Sequence, residues 1–194
     1  MRSPATSLTA LNKTLRRFRR NRHGSAAVEF AFIAPLFFGL LFAIIETAIM
    51  FFAAQVLETG TQDAARLMLT NQAQGANMTQ AQFQQNLCDR IKSLFTCDNN
   101  PAGPLVVSVR AYPPNTLIPA ADLAAPINGG KFVNTSVYQM PKSGETVLIR
   151  AFYQWPLYVT QLGYNIANIG RDDPSNAKRL LAATTAFRVE PNGS

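Results

Sequence analysis

The stretch that decides the fold is residues 25–57, which read SAAVEFAFIAPLFFGLLFAIIETAIMFFAAQVL. Its segment 30–45 holds no charged residue. About 20 helical residues cross the roughly 30 Å hydrocarbon layer of a bilayer, and residues 26–45 reach that length. A buried helix of a soluble core is the alternative. The length of the apolar run and the cations before it favour a membrane-spanning helix.

Charge is distributed very unevenly around this run. Residues 1–23 hold seven of the 18 Lys and Arg residues and no acid, whereas residues 24–194 hold eleven basic and eleven acidic residues. The net charge of +7 therefore belongs to a leader, which argues against a basic nucleic-acid binder. Because positive flanks stay on the cytoplasmic side, we expect the leader in the cytoplasm and the residues after the apolar run across the membrane.

The few histidines and cysteines limit the chemistry. His23 is the one histidine, and it lies in the leader. A chain without its leader could hold neither a Ser-His-Asp triad nor a histidine zinc site, and Cys88 and Cys97 are too few for a Cys₄ zinc site. The acidic pair at 172–173 precedes a proline and is typical of a turn. The sequence thus predicts no enzyme, no metal and no cofactor.

Three residues of the apolar run need a physical reason. An ionised side chain inside a bilayer costs a few kcal/mol, so Glu29 is expected either to face a partner or to reach the interface. Pro35 removes a backbone donor and is expected to kink or loosen the helix. Glu46 is expected to mark the far edge of the membrane, with an intramembrane role as the alternative.

The residues around Glu29 resemble the processing site of type IV pilin-like proteins. Residues 23–30 read HGSAAVEF, so that a basic leader ends in Gly24, Ser25 begins the apolar helix, and Glu29 is the fifth residue of the helix segment. Glutamate followed by an aromatic residue, here Phe30, is typical of the Flp-type, or tight-adherence (Tad), pilus systems. Since a sizeable domain follows the helix, the chain resembles a TadE-like minor pilin, or pseudopilin, of that branch. The resemblance reaches from the leader to Ala65.

This resemblance implies a role in pilus assembly and cell adhesion without catalysis or cofactors. A prepilin peptidase would cut between Gly24 and Ser25. The new amine at Ser25 would pair with Glu29 of a neighbouring subunit and offset the desolvation of both charges. The implied partners are that peptidase, other pilin and pseudopilin subunits, the inner-membrane assembly platform and the lipid bilayer, but no nucleic acid. The implied location is a bacterial inner membrane, crossed once with the C-terminal domain in the periplasm, or an extracellular pilus.

The competing hypothesis is an unprocessed single-pass inner-membrane anchor. In that case Gly24 is never cut, and the remaining chain is a periplasmic binding module or holds a secretion partner. Removal of the leader discriminates between the two hypotheses.

Beyond the apolar run, the helix is expected to continue to about residue 74, with Gly60 as a weak point. Residues 79–82 (TQAQ) predict a capping box that starts a second helix. Its apolar residues follow helical spacing and are expected to pack on the chain's own sheet, with partner binding as the alternative: Phe83, Leu87, Ile91, Leu94 and Phe95. Cys88 and Cys97 are an even pair on the oxidising side of the envelope, which predicts a disulfide.

Strands are predicted at 105–112, 146–155 and 183–189, where apolar and β-branched residues are bounded by turn residues. Between the first two lies a long loop with a turn at Gly129 and Gly130. A further helix is predicted around residues 176–182. The predicted fold class is α+β, with a long N-terminal membrane-spanning helix followed by a small domain of one helix and an antiparallel sheet. The predicted divisions are a leader at 1–24, a transmembrane helix at 25–57, a helical stalk at 58–75 and a periplasmic domain at 76–194.

Overall fold

The computed structural model describes residues 24–97, 103–162, 164–173 and 175–191. Residues 1–23 of the predicted leader lie outside these residues, as do residues 98–101 (DNNP), whose composition predicts a loop. The fold is α+β, as predicted, with a long N-terminal apolar helix and then a small domain of helices and an antiparallel sheet. The chain divides into two compact units between Ile44 and Ile45.

Helix α1 runs from Ser25 to Leu69, and Pro35 lies inside it without ending it. The helix ends earlier than predicted. Asn71 has a left-handed backbone with φ 58°, a conformation that asparagine tolerates better than most residues and that cannot continue a right-handed helix. A short helix α2, Gln72–Gly75, follows.

Helix α3, Gln80–Ile91, begins at the predicted capping box. The hydroxyl oxygen of Thr79 accepts a hydrogen bond from the N–H of Gln82 at 3.3 Å, and the side-chain oxygen of Gln82 accepts one from the N–H of Thr79 at 2.8 Å. These reciprocal bonds satisfy donors that would otherwise stay unpaired at the start of a helix. The local sequence therefore fixes where α3 begins.

The described residues form the strands β1 (Leu105–Tyr112), β2 (Ile127–Asn128), β3 (Lys131–Phe132), β4 (Thr146–Pro156) and β5 (Lys178–Arg188). Antiparallel pairing joins three of them in the order β1–β4–β5, with Leu105 opposite Tyr153 and Ile149 opposite Thr185. Strands β2 and β3 form a hairpin whose turn residues, Gly129 and Gly130, have positive φ. The first two predicted strands and the glycine turn are confirmed.

The prediction of a helix at 176–182 is wrong, because residues from Lys178 onward belong to β5. Leu180 and Leu181 are both buried, in different clusters on the two sides of the sheet. Since both faces of the strand are covered here, its sequence lacks the alternation of apolar and polar residues that identifies a half-exposed strand.

The inner face of the sheet packs against α3 and the second half of α1. Buried residues of α1 recur at helical spacing and so lie on one face. This core contains Ala53, Leu57, Ala64, Ala65 and Met68 from α1, Phe83, Leu87 and Ile91 from α3, and Val107, Val109, Val147, Ile149, Ala151, Leu181 and Ala183 from the sheet. The apolar stripe of α3 thus packs inside its own domain, as expected.

Strand β1 lies at an edge of the sheet. Side chains of α3 form hydrogen bonds with backbone carbonyls of β1 that face away from β4. The side-chain amide of Gln84 donates to the carbonyl of Leu105 at 3.0 Å, and that of Gln80 donates to the carbonyl of Val107 at 3.1 Å. Amide side chains thereby take the positions that a neighbouring strand would occupy.

Segment 137–139 bonds the same edge farther along β1. The N–H of Val109 donates to the carbonyl of Val137 at 2.7 Å, and the carbonyl of Val109 accepts the N–H of Gln139 at 3.0 Å. The N–H of Ala111 donates to the side-chain oxygen of Gln139 at 3.1 Å. Each of Leu105, Val107, Val109 and Ala111 therefore has a hydrogen bond on the outer edge of β1.

Gly60 lies where α1 and α3 approach each other closely. A Cβ atom on Gly60 would overlap Cγ2 of Ile91 and lie 3.4 Å from Cδ1 of Leu87. Both neighbours are fully buried, so neither side chain has free space to move into. The residue that the sequence indicates as a weak point of the helix is thus a contact point between two helices.

Replacing Gly60 with alanine is expected to lower the free energy of unfolding by about 1 kcal/mol. Overpacking costs about 1–3 kcal/mol, which outweighs the roughly 1 kcal/mol that alanine gains in helix propensity. Denaturant unfolding in detergent micelles, followed by the fluorescence of Trp155, measures the difference. Gly75→Ala is the matched control, because none of the residues that the structure describes lies within 4 Å of its Cβ position. A Gly60→Ala chain as stable as the parent would contradict the close contact.

Candidate functional site

The residues predicted for processing and assembly lie together at the start of α1. Gly24 precedes the helix, Ser25 begins it, and Glu29 and Phe30 follow. Gly24, Glu29 and Phe30 are exposed, the last with 64% of its surface accessible. A rise of about 1.5 Å per residue places Glu29 about 6 Å, or roughly one turn, beyond Ser25. The start of the apolar helix thus presents the Glu29 carboxylate and, about one turn before it, the position at which processing is predicted.

The helix that carries these residues has an apolar, exposed surface. Among the described residues, α1 is the helix long and apolar enough to cross a membrane. Large exposed side chains along it include Phe32, Leu36, Leu40, Ile44, Ile45, Ile49, Phe51 and Phe52. A continuous apolar surface of this kind is stabilised by lipid or by other helices, and the helix therefore indicates membrane association.

Glu46 departs from this exposed pattern, because its side chain is only 9% exposed. Its carboxylate accepts the N–H of Tyr158 and the N–H of Val159, the latter at 3.2 and 3.3 Å from its two oxygens. Hydrogen bonds to an ionised acceptor are stronger than neutral ones. The sequence indicates that Glu46 lies near a boundary, but it gives no sign of partners more than a hundred positions away.

A disulfide joins Cys88, on α3, to Cys97, with Cα atoms 6.1 Å apart. Between them, the buried ring of Phe95 packs edge-on against Tyr153 at 4.6 Å and Trp155 at 5.8 Å between ring centroids. The disulfide thus fixes the chain that leaves α3 against β4. It belongs to the second compact unit, whereas the residues around Glu29 belong to the first.

A charged cluster on the outer face of the sheet was not predicted. Arg110 lies 3.0 Å from the carboxylate of Asp122, which also accepts the hydroxyl of Tyr112 at 2.8 Å. Arg150 donates to the backbone carbonyls of Asp122 and Ala124 at 2.7 and 2.8 Å, beside a pocket of about 180 Å³. Burial, and then the bond to Asp122, raise the pKa of Tyr112 to about 12, while burial lowers the pKa of Arg150. The cluster attaches the short helix α4, Ala120–Leu123, to the sheet.

The described residues contain no group of three or more His, Cys, Asp or Glu side chains that could hold a metal ion. The arrangement that remains is an exposed apolar helix with a glutamate near its start, followed by a small disulfide-bonded domain. This arrangement indicates a protein that associates with a membrane through its N-terminal helix.

Comparison with protein families makes the class more specific. Residues 24–66 match the model of the family described as TadE-like protein, which confirms the resemblance inferred from the sequence. Residues 24–66 are thus similar to the corresponding part of TadE-like proteins, which suggests a relation to the Tad pilus. No curated protein and no solved structure matches the chain.

Proposed function

We propose that this chain is a minor pilin, or pseudopilin, which takes part in assembly of a Flp-type (Tad) pilus after a prepilin peptidase cuts between Gly24 and Ser25. The observation that carries the proposal is the TadE-like match over residues 24–66, the part of α1 that holds both Glu29 and the exposed apolar surface. The peptidase is the enzyme in this scheme, and the chain is its substrate.

Exposure at the start of α1 supports the processing step. Within the described residues, nothing lies within 4 Å of the position where a Cβ on Gly24 would be, so this part of the chain leaves the backbone at Gly24 uncovered. Glycine has no Cβ and can lie extended in a narrow cleft. Cutting would remove the basic leader and create a positive amine at Ser25, about one turn from Glu29.

The length of the apolar surface supports assembly through helices. From Ala26 to Phe52 the helix is about 40 Å long, more than the roughly 30 Å of a hydrocarbon layer. Phe51 and Phe52 remain 65% and 63% exposed. Helices of other pilin subunits would cover this surplus, and a neighbour's amine would neutralise Glu29 as the helices pack.

The proposed topology is a single crossing of a bacterial inner membrane. The basic leader lies on the cytoplasmic side, because positively charged flanks are retained there. The second compact unit lies in the periplasm, where oxidising conditions maintain the bond between Cys88 and Cys97. The assembly platform in the inner membrane is the proposed site of action.

N-terminal sequencing of the membrane-bound protein, in bacteria with and without the prepilin peptidase, tests the processing step. We expect a chain that starts at Ser25 only when the peptidase is present. Gly24→Leu should retain the leader, since a side chain would obstruct the cleft, whereas the control Ser25→Ala should still be cut. A retained leader in both strains would refute processing and leave the unprocessed periplasmic anchor as the function.

Glu29→Ala separates processing from assembly in the same strains. The variant chain should still be cut at Gly24, but pili counted by electron microscopy should be lost, because the amine of the neighbouring subunit has no partner in the bilayer. Glu58→Ala, outside the proposed contact, is the matched control and should assemble normally. Normal pili with Glu29→Ala would contradict the proposed pairing.

A further inference from the structure

Residues 157–162 and 164, called here the tyrosine loop, combine an anchored backbone with exposed aromatic side chains. Leu157, Val159 and Thr160 are buried, at 5%, 8% and 5% exposure. Tyr158 and Tyr164 in contrast are 75% and 43% exposed. The loop is therefore held by its buried residues and presents its tyrosine rings to the surroundings.

Two contacts fix the level of the loop along α1. The carboxylate of Glu46 accepts the N–H groups of Tyr158 and Val159. The next residue of the helix, Thr47, lies with its hydroxyl oxygen 3.5 Å from the hydroxyl of Tyr164. Both exposed tyrosines are thus attached beside residues 46 and 47.

That level is the one at which a membrane-spanning helix would leave the hydrocarbon layer. Residues 26–45 form about 30 Å of helix, one hydrocarbon thickness. The headgroup zone on each side adds some 5–7 Å, or about four residues, which brings residues 46–49 into it. Exposed Ile45 and Ile49 flank Glu46 along the helix, as expected for a segment that crosses this zone.

The composition of the loop fits the same surroundings. From Leu157 to Gly170 the sequence, LYVTQLGYNIANIG, holds no charged residue. Tyrosine joins an apolar ring to a hydroxyl that needs polar partners, and it is enriched where membranes meet water for that reason. The loop is uncharged and aromatic, and it is attached where α1 would leave the hydrocarbon layer. It therefore has the chemistry of an anchor at the interface between membrane and water.

We propose that the tyrosine loop lies in the headgroup region of the phospholipid bilayer, with Tyr158 and Tyr164 as interfacial anchors. The inference rests on the proposed membrane span of α1. It adds a second membrane contact, which holds the domain against the lipid surface at a fixed level of the helix. Glu46 is the positioning residue of this contact, since it holds the loop backbone.

Fluorescence quenching by brominated lipids tests the contact in the full chain. The protein has one tryptophan, so Trp155→Phe gives a background into which a single tryptophan is placed. The variants are Tyr158→Trp in the loop, Leu40→Trp in the span and Leu117→Trp as an exposed control. They are reconstituted in vesicles of phosphatidylethanolamine and phosphatidylglycerol, brominated either near the headgroup or near the end of the acyl chain.

Leu117 is a suitable control because it is 89% exposed and follows the opposite end of the sheet. Strand β1 ends at Tyr112, which pairs with Thr146 at the start of β4, whereas the tyrosine loop follows Pro156 at the end of β4. The length of β4 separates these ends by about 35 Å. Leu117→Trp should keep its fluorescence with either lipid.

For Tyr158→Trp we expect a loss of fluorescence with lipids brominated near the headgroup and a smaller loss with lipids brominated near the end of the acyl chain. Leu40→Trp should show the reverse order. Unquenched Tyr158→Trp together with quenched Leu40→Trp would overturn the loop contact and leave the span intact, as expected if a protein subunit covers the loop instead. Unquenched Leu40→Trp would refute the span itself. If Trp155→Phe fails to fold, the same variants are made with Trp155 in place and differences from the parent are measured.

Discussion

Replacing Glu46 with alanine is expected to accelerate amide hydrogen exchange at Tyr158 and Val159 by about 100-fold. A hydrogen bond to a charged acceptor contributes about 1.5–3 kcal/mol, and each 1.4 kcal/mol of local opening corresponds to about tenfold in exchange. Loss of both bonds leaves the N–H of Val159, in a buried residue, without its acceptor. Exchange measured by mass spectrometry on the reconstituted chain reports the opening of this loop.

A second variant distinguishes the effect of the charge on Glu46 from the effect of its acceptor oxygen atoms, and a third variant serves as a control. Glu46→Gln keeps one acceptor oxygen and should accelerate exchange by only about tenfold. Glu58→Ala is the matched control, because the Glu58 side chain is bonded within its own helix, to Gln62 at 3.4 Å. Amides around Ala53 should keep their protection in every variant, which separates local release of the loop from unfolding of α1. Unchanged exchange at Tyr158 and Val159 in Glu46→Ala would refute the role of Glu46.

Loss of the disulfide is expected to lower the free energy of unfolding by about 2–3 kcal/mol. The bond closes a short loop, with a sequence separation of 9, and a loop of about ten residues gives this magnitude in the chain-entropy description. It also holds Phe95 against Tyr153 and Trp155. Denaturant unfolding in detergent micelles, followed by Trp155 fluorescence, measures the change for the double variant Cys88→Ala and Cys97→Ala.

Reduction of the parent chain provides the matched comparison. A reducing agent should shift the unfolding midpoint of the parent toward that of the double variant, because both lack the cross-link. The same reagent should leave the midpoint of the double variant unchanged, since it has no disulfide to lose. Equal midpoints for the oxidised parent and the double variant would contradict a stabilising disulfide.

Elements specified by local sequence could be predicted. The capping box at Thr79 and Gln82 needs only residues three apart, and it is formed in the structure. Strand β1 was predicted at its observed bounds, since Pro113 and Pro114 follow it. The apolar run of α1 is likewise visible in the sequence alone.

Elements specified by tertiary contact could not be predicted. The adjacent Leu180 and Leu181 are compatible with a helix as well as with a strand. Only the packing of other residues on both faces of the sheet, which buries both side chains, favours the strand β5. Likewise, the partners of Glu46 lie 112 and 113 positions away, and no local pattern connects them. Of the candidate site, the sequence predicts the start of α1 but not the attachment of the tyrosine loop to Glu46.

The hydrogen bonds along the outer edge of β1 have a consequence for contacts between copies of this protein. An open strand edge recruits strands from neighbouring copies and starts aggregation. Here the amides of Gln80 and Gln84, together with segment 137–139, already occupy that edge. These contacts therefore hinder extension of the sheet from β1 by a neighbouring copy. If the proposed assembly through α1 takes place, the helices can pack side by side while the folded domains stay separate on this side.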